Sequence, residues 1–243
     1  MIGESACFQL LESALAAADA DQAEAFSYAT DSSLTRFAES VIHQNVAERN
    51  AIVSVRAVLG KRIGCARGNQ ADPDQVTAVA RRAHELAAVA AEDEAFVSLP
   101  APQPIAVVSG FASATAASTP EQRAELARTI VEVASAEGCR ASGSVSAEMA
   151  ELAVANSLGV RAYAPVTQAS AVLVVSDGDA SGYADWRGMD ISQLDGRALA
   201  EVATRKCVAS RGAEPVEPGE YTVILEPAAV GELIMFLSSL AHL

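Results

Sequence analysis

The sequence predicts an α+β fold, with mainly antiparallel sheets flanked by helices. Three observations carry that prediction. Strand candidates follow one another closely, and a parallel crossover needs about a dozen residues or more, so such neighbours pair antiparallel. Two helices carry clear start signals, Asp72-Pro73-Asp74-Gln75 and Thr119-Pro120-Glu121-Gln122. The two halves of the chain also share one grammar, a helix followed by strands, without a close internal repeat.

The elements follow in order. Phe8, Leu11, Leu15 and Ala18 recur at helical spacing, which predicts a helix near 5–18 that ends at Asp19 and Asp21. Ala23–Thr30 is a strand candidate. Ser33–Asn45 sets Leu34, Phe37, Val41 and Ile42 among polar residues. Over 51–58 both alternating sets are largely apolar, which predicts a strand covered on both faces or nearly so. Leu59-Gly60-Lys61-Arg62 is a turn, and Ile63–Ala66 returns as a strand. In both start signals the cap side chain can accept a backbone N–H, proline sits at the first helical position, and glutamine can reach back to the cap. Helices near 73–91 and 120–136 follow, the second stopped by Gly138. Between them Ser98–Pro104 is a stiff, proline-rich connector. Strand candidates then occupy 139–146, 148–155, 160–166 and 169–175, with turns at Asn156–Gly159 and Ser176–Gly178. A helix at 196–209, a linker at Pro215–Gly219, a strand at Tyr221–Leu225 and a helix opened by Glu226-Pro227 complete the chain. That last helix is apolar on most sides, and such a helix expects to be buried. Little chain remains to bury it, so the chain is expected to be a fragment or to need a partner.

Composition narrows the function. The chain has 243 residues and 25.0 kDa, with 51% hydrophobic and 20% charged residues, enough for a sizeable core. Its formal net charge of -14 opposes nonspecific contact with DNA or anionic lipid. No stretch is apolar for the ~18 residues of a membrane-spanning helix. The first basic residue is Arg36, which leaves no charged region for a secretory signal. Cys7, Cys65, Cys139 and Cys207 lie far apart, with neither the spacing of a zinc ribbon nor that of a disulfide framework. A soluble, acidic, cytoplasmic protein is expected.

Chemistry-bearing motifs are sparse. His43, His84 and His242 form no pair at helical spacing, so no metal-binding helix face is expected. His84 reads as a solvated surface histidine, and His242 as equally bland. Phosphate loops, dinucleotide fingerprints and nucleophile elbows are absent. Residues 36–82 hold Arg36, Arg49, Arg56, Lys61, Arg62, Arg67, Arg81 and Arg82 against Glu39, Glu48, Asp72 and Asp74, a local excess of 8 − 4 = +4. It reads either as a cationic face for an acidic partner or, more simply, as solvated strand faces with scattered ion pairs.

One stretch is more specific. Leu34-Thr-Arg-Phe-Ala-Glu-Ser-Val-Ile-His-Gln-Asn45, followed by Val53-Ser-Val-Arg-Ala-Val-Leu-Gly-Lys-Arg-Ile-Gly64, resembles the N-terminal region of the TldD/PmbA family, peptidase-related proteins also known as modulators of DNA gyrase. Ala155-Asn-Ser-Leu-Gly159, Ser181-Gly-Tyr183 and Pro218-Gly-Glu-Tyr-Thr-Val-Ile-Leu-Glu-Pro227 agree in the same order. The resemblance implies an N-terminal α+β domain over 1–218, with sub-blocks 1–110 and 118–218, and the truncated start of a C-terminal β-rich domain at 219–243. Some members carry a His-Glu-x-x-x-His metal motif; the PmbA or TldE type lacks it and pairs with the first kind. Aligned on Gly231 and Leu233, those positions fall at Met235, Phe236 and Leu240. A thioether, a phenyl ring and an isobutyl group supply neither a zinc ligand set nor a base. The resemblance therefore implies a metal-free, cofactor-free, non-catalytic subunit. It would line a channel for unfolded peptide beside a metal-bearing TldD-type partner, as a dimer, with no direct nucleic-acid or membrane contact. Arg36, His43 and Asn45 are the candidate peptide contacts; they equally fit a role in capping strands and turns. The competing class is a non-enzymatic modulator acting on gyrase or its toxins.

Overall fold

The elements of the computed structural model, which describes residues 1–69, 71–106 and 109–241, are α1 (Glu4–Ala17), β1 (Gln22–Ala38), β2 (Val41–Leu59), β3 (Arg62–Gly68), α2 (Pro73–Val89), α3 (Ser113–Ala116), α4 (Pro120–Ala136), β4 (Arg140–Asn156), β5 (Arg161–Asp177), β6 (Ala180–Gly188), α5 (Gly196–Ala209) and α6 (Pro227–Leu240). His242 lies outside the described residues. Every strand pairs antiparallel, in one sheet of order β3-β2-β1-β4-β5-β6. The fold is the expected α+β one. Two compact units divide the chain, Met1–Arg211 and Gly212–Leu243. No helix among the described residues is long and apolar enough to cross a membrane.

The shared grammar of the two halves becomes geometry. Each half is a helix, a three-strand meander and a closing helix. The halves meet where β1 pairs with β4. The closing helices contact their meanders in the same way. An added Cβ on Gly64 in β3 would stand 2.1 Å from Ala83 O, on α2. One on Gly182 in β6 would stand 2.0 Å from Ala203 O, on α5. Each glycine is the third residue of its strand and lets a helix backbone rest directly on the strand.

Both cores lie on one face of the sheet. Ala23, Ala25, Val53, Val55, Ala57, Ala153 and Ala155 pack with α1 and α2. Phe37, Ala141, Val145, Ala147, Ala171 and Leu173 pack with α4 and α5. In each continuous strand these are odd-numbered positions, so period-2 alternation puts them on the same side. Leu11 and Ile130, fully buried, are central helix residues there. Burying one such side chain stabilises by about 1.5–3 kcal/mol.

Several expectations change. The segments 23–30 and 33–45 are not separate strands. β1 runs on to Ala38, and the chain reverses at Glu39-Ser40. Both turn residues are left-handed, with φ of 49° and 63°, as a two-residue type I′ hairpin turn requires. The turn lacks the usual Asn-Gly signature. It is held by β4 instead: Ser40 N–H donates to Ala141 O, Ala141 N–H to Ser40 Oγ, and Arg140 pairs with Glu39 at 2.6 Å. The pairs 139–146/148–155 and 160–166/169–175 likewise merge into the 17-residue strands β4 and β5. Small residues such as Ser146 and Ala147 interrupt the apolar pattern without breaking the ladder. β6 was not anticipated, because its Gly, Asp and Ser content reads as loop. Tyr221–Leu225 is not a strand and joins no ladder among the described residues. In the 51–58 stretch Val53, Val55 and Ala57 are buried on one face; on the other Val58 is buried, Ile52 and Ser54 are half-buried and Arg56 alone is exposed.

The helix starts follow the capping signals. At α4, Thr119 Oγ1 accepts from Gln122 N–H and the Gln122 side chain accepts from Thr119 N–H, the full reciprocal box. At α2, Asp72 accepts two backbone N–H groups, from Asp74 and Gln75. His84 is not a solvated surface residue. It is half-buried, and its Nδ1 lies 3.1 Å from Ala18 O and 2.8 Å from Asp19 O. Carbonyls only accept, so Nδ1 carries the proton and the ring caps the end of α1.

Candidate peptide-contact surface

The second face of the sheet is built from the even-numbered residues of β1, β2, β4 and β5. Glu24, Phe26, Tyr28, Leu34 and Arg36 of β1 are half-buried or exposed there. Pairing aligns Tyr28 with Leu152, Ser32 with Glu148, and Glu148 with Gln168. The centre of the face is polar: Ser146 and Ser170 share a 2.7 Å hydrogen bond beside Glu148 and Gln168. Burial, and then the nearby Glu148 carboxylate, raise the Tyr28 pKa above its ordinary value. Towards the β4–β5 turn the face becomes apolar. There a cavity of about 870 Å³ opens between Phe26, Leu152, Val154 and Ala164 of the sheet and Ile105 and Phe111 of the connector. The connector is pinned at both ends. Leu99 N–H donates to Gln22 Oε1, Asn156 Nδ2 to Pro100 O, and Thr167 N–H to Gly110 O. These bonds hold the segment that contains Ser98–Pro104 along the sheet.

The three candidate contacts all fall near the β1–β2 turn but do not converge. Arg36 lies on the open face, exposed, with Nη1 3.3 Å from Gln44 Oε1. Asn45 pairs with Thr35 on the opposite face, where its Oδ1 accepts from Thr35 Oγ1 at 2.6 Å. His43 is an exposed β-bulge residue: Arg36 pairs with Gln44 and Phe37 with Ile42, leaving His43 unopposed. Next to them runs a bare backbone edge. β3 pairs with β2 only from Val53 onward, so among the described residues no strand covers the outer edge of β2 over 41–52. Nearly all of that stretch is exposed.

The positive excess of 36–82 is spread through local ion pairs. Arg49 pairs with Asp31 at 2.8 Å, Arg56 with Glu24 at 3.7 Å, Lys61 with Glu94 at 2.7 Å and Arg82 with Glu85 at 3.0 Å. This is the simpler of the two readings, strand and helix faces with scattered pairs. Sequence reasoning missed Glu151, whose carboxylate is buried yet fully engaged. It accepts from Ile2 N–H at 2.6 Å, Gly3 N–H at 3.0 Å and the Tyr163 hydroxyl at 2.7 Å. Burial and this hydrogen bond push the Tyr163 pKa far up. The group fastens the start of α1 to the sheet. A glutamate within an apolar alternation was the only available signal.

The donor set does not fit a catalytic zinc. Met235, Phe236 and Leu240 of α6 offer no ligand set, and among the described residues no three His, Cys, Asp or Glu side chains cluster as metal ligands.

These features define a class: an α+β domain built of two antiparallel meanders, with α1, α2, α4 and α5 on one face and, on the other, an open polar centre beside the connector. Solved structures share it. TldE from Thermococcus kodakarensis is 19% identical, with a TM-score of 0.72 over 83% of this chain and 47% of its own. A proposed modulator of a DNA gyrase from Thermotoga maritima is 12% identical, with a TM-score of 0.72 over 88% and 50%. Another, from Bacteroides thetaiotaomicron, is 17% identical, with a TM-score of 0.75 over 98% and 57%. The chain thus has their fold and spans about half their length. No protein-family model and no curated protein matches the sequence.

Proposed function

We propose that this chain is the N-terminal half of a metal-free, TldE/PmbA-type member of the TldD/PmbA family. In this reading it is a non-catalytic subunit of a cytoplasmic metallopeptidase pair, and its bare sheet face forms part of the wall of a channel for unfolded peptide. The observation that carries the reading is the uncovered outer edge of β2, beside Arg36, His43 and Asn45. An extended peptide can hydrogen-bond to such an edge whatever its sequence. Support comes from the likeness to TldE and from the apolar residues at 235, 236 and 240, which leave the metal chemistry to a partner.

The test is co-expression of the complete reading frame that contains this chain with a TldD-type protein bearing His-Glu-x-x-x-His. The expected result is a stoichiometric complex that cleaves unfolded peptide, with neither subunit active alone. Two of the similar structures are described as gyrase modulators, which favours a second reading. Capture of gyrase without a peptidase partner would support it and overturn the first.

A further inference from the structure

Two pockets on the open face of the sheet share one wall. The cavity of about 870 Å³ is floored by Phe26, Leu152, Val154 and Ala164 and roofed by Ile105 and Phe111 of the connector. A second pocket, of about 400 Å³, also uses Phe26 and is lined beyond it by Glu24, Arg56 and Arg67. Strand register makes the two continuous. Arg67 pairs with Ser54, Ser54 with Phe26, Phe26 with Val154 and Val154 with Ala162. Paired residues project to the same face of a sheet. This row therefore passes from a guanidinium, through a hydroxyl, to an apolar floor.

Charge and apolar surface are both left unanswered there. Arg56, in the neighbouring row, is matched by Glu24 at 3.7 Å. The row of Arg67 contains no carboxylate, and among the described residues Arg67 forms no ion pair. Its side chain is exposed and permanently charged. Ile105 and Phe111 are 57% and 42% exposed, although both face the cavity. An apolar cavity of this size with a charged group at its rim has the form of a ligand site. A ligand that answers both halves carries a carboxylate on an apolar body. On an unfolded peptide that combination occurs at the C-terminus, where the carboxylate belongs to the same residue as the last side chain.

We propose that the two pockets form one site for the C-terminal end of an unfolded peptide with apolar last residues. The terminal carboxylate sits on Arg67, and the last side chains fill the cavity beneath the connector. The inference rests on the reading of this face as a peptide surface, and it adds a preference for one end of the peptide. A guanidinium accommodates a carboxylate with two parallel N–H donors, which fixes the register of the bound end. The cavity then selects bulky apolar side chains by burying them.

The test is fluorescence anisotropy with the 243-residue chain. The probe is a labelled peptide ending in Leu-Phe with a free carboxylate, compared with its C-terminal amide and with a version ending in Ser-Ser. The free acid should bind about tenfold more tightly than the amide, the scale of one hydrogen bond to a charged group. It should also outbind the Ser-Ser peptide. Arg67→Gln removes the advantage of acid over amide and leaves the amide's affinity in place. Ala164→Trp, at an exposed position on the face away from both cores, fills the cavity and weakens both Leu-Phe peptides. No binding of the acid, or equal binding of acid and amide, overturns the proposal. So does an acid preference that survives Arg67→Gln, or dodecanoate competing as well as the peptide, which would assign the site to a long-chain acid. The comparison of acid with amide on the parent chain decides the matter even if neither variant folds. These measurements need no peptidase partner, so their failure is distinct from failure of the co-expression test, where the complex or its cleavage is missing.

Discussion

At single positions, contacts with other elements decide what each residue does. Gly64 and Gly182 show it most directly. The space for a Cβ is filled by backbone of α2 or α5. Gly64→Ala and Gly182→Ala should each cost about 3 kcal/mol, the overpacking range, read as a lower urea midpoint with unchanged slope. An effect under a few tenths at either site would mean that the helix does not sit on the strand. Glu39 shows the opposite case, a residue in a conformation it does not prefer. Asparagine tolerates left-handed backbone better. Glu39→Asn should therefore raise stability by about 0.5 kcal/mol even though it removes the exposed pair with Arg140, because such pairs contribute little. A loss in chemical denaturation would show that the ion pair outweighs the strain.

For the elements, the helix starts were legible and the strand lengths were not. Caps are local chemistry, so Thr119 and Asp72 could be read from four-residue windows. Thr119→Ala should cost about 1 kcal/mol. The same helix start holds the Glu121 carboxyl below its ordinary pKa, through its own backbone N–H first and the Thr119 side chain second. A depressed carboxylate contributes stability above its unfolded pKa and loses it as pH falls through the folded value. Glu121→Gln should therefore lower stability at neutral pH, where the charged carboxylate contributes, and converge with the parent once pH falls below the ordinary carboxylate range, so that the acid side of its profile is flatter. Equal acid sensitivity of parent and variant in thermal melts would refute this. Strand lengths escaped because β1, β2, β4 and β5 exceed ordinary strand length and carry serines and alanines mid-strand. β1 and β4 also pair with each other across more than a hundred residues, as Tyr28 with Leu152.

The whole molecule divides into Met1–Arg211, which contains both cores, and Gly212–Leu243, which contains α6. No residue of α6 is buried, and Leu233, Ile234, Phe236 and Leu237 are each more than half exposed. Contiguous apolar surface of this kind drives association. A chain ending at Arg211 should keep the cooperative melting transition and sediment as a narrower, smaller species than the full chain. If the shortened chain does not fold, Gly212–Leu243 is needed by the core. The bare sheet face and the edge of β2 also belong to this scale. The local sequence around Arg36, His43 and Asn45 did not reveal that Arg36 and Asn45 lie on opposite faces or that His43 is a bulge.

The sequence alone determined what depends on neighbours a few residues apart: the helices and their caps, the tight turns at 156–159 and 176–178, antiparallel pairing of close strands, and the absence of zinc ligands at 235, 236 and 240. The ordered motifs also pointed to a fold that the solved structures share. Tertiary structure decided the rest: one six-stranded sheet with both cores on the same face, a Glu39-Ser40 turn held from β4, His84 as the cap of α1, and Glu151 as its anchor. The physical reason is range. Caps and turns close hydrogen bonds within a few residues. Strand pairing between the two meanders and a buried carboxylate need groups that the chain brings together only after it has folded.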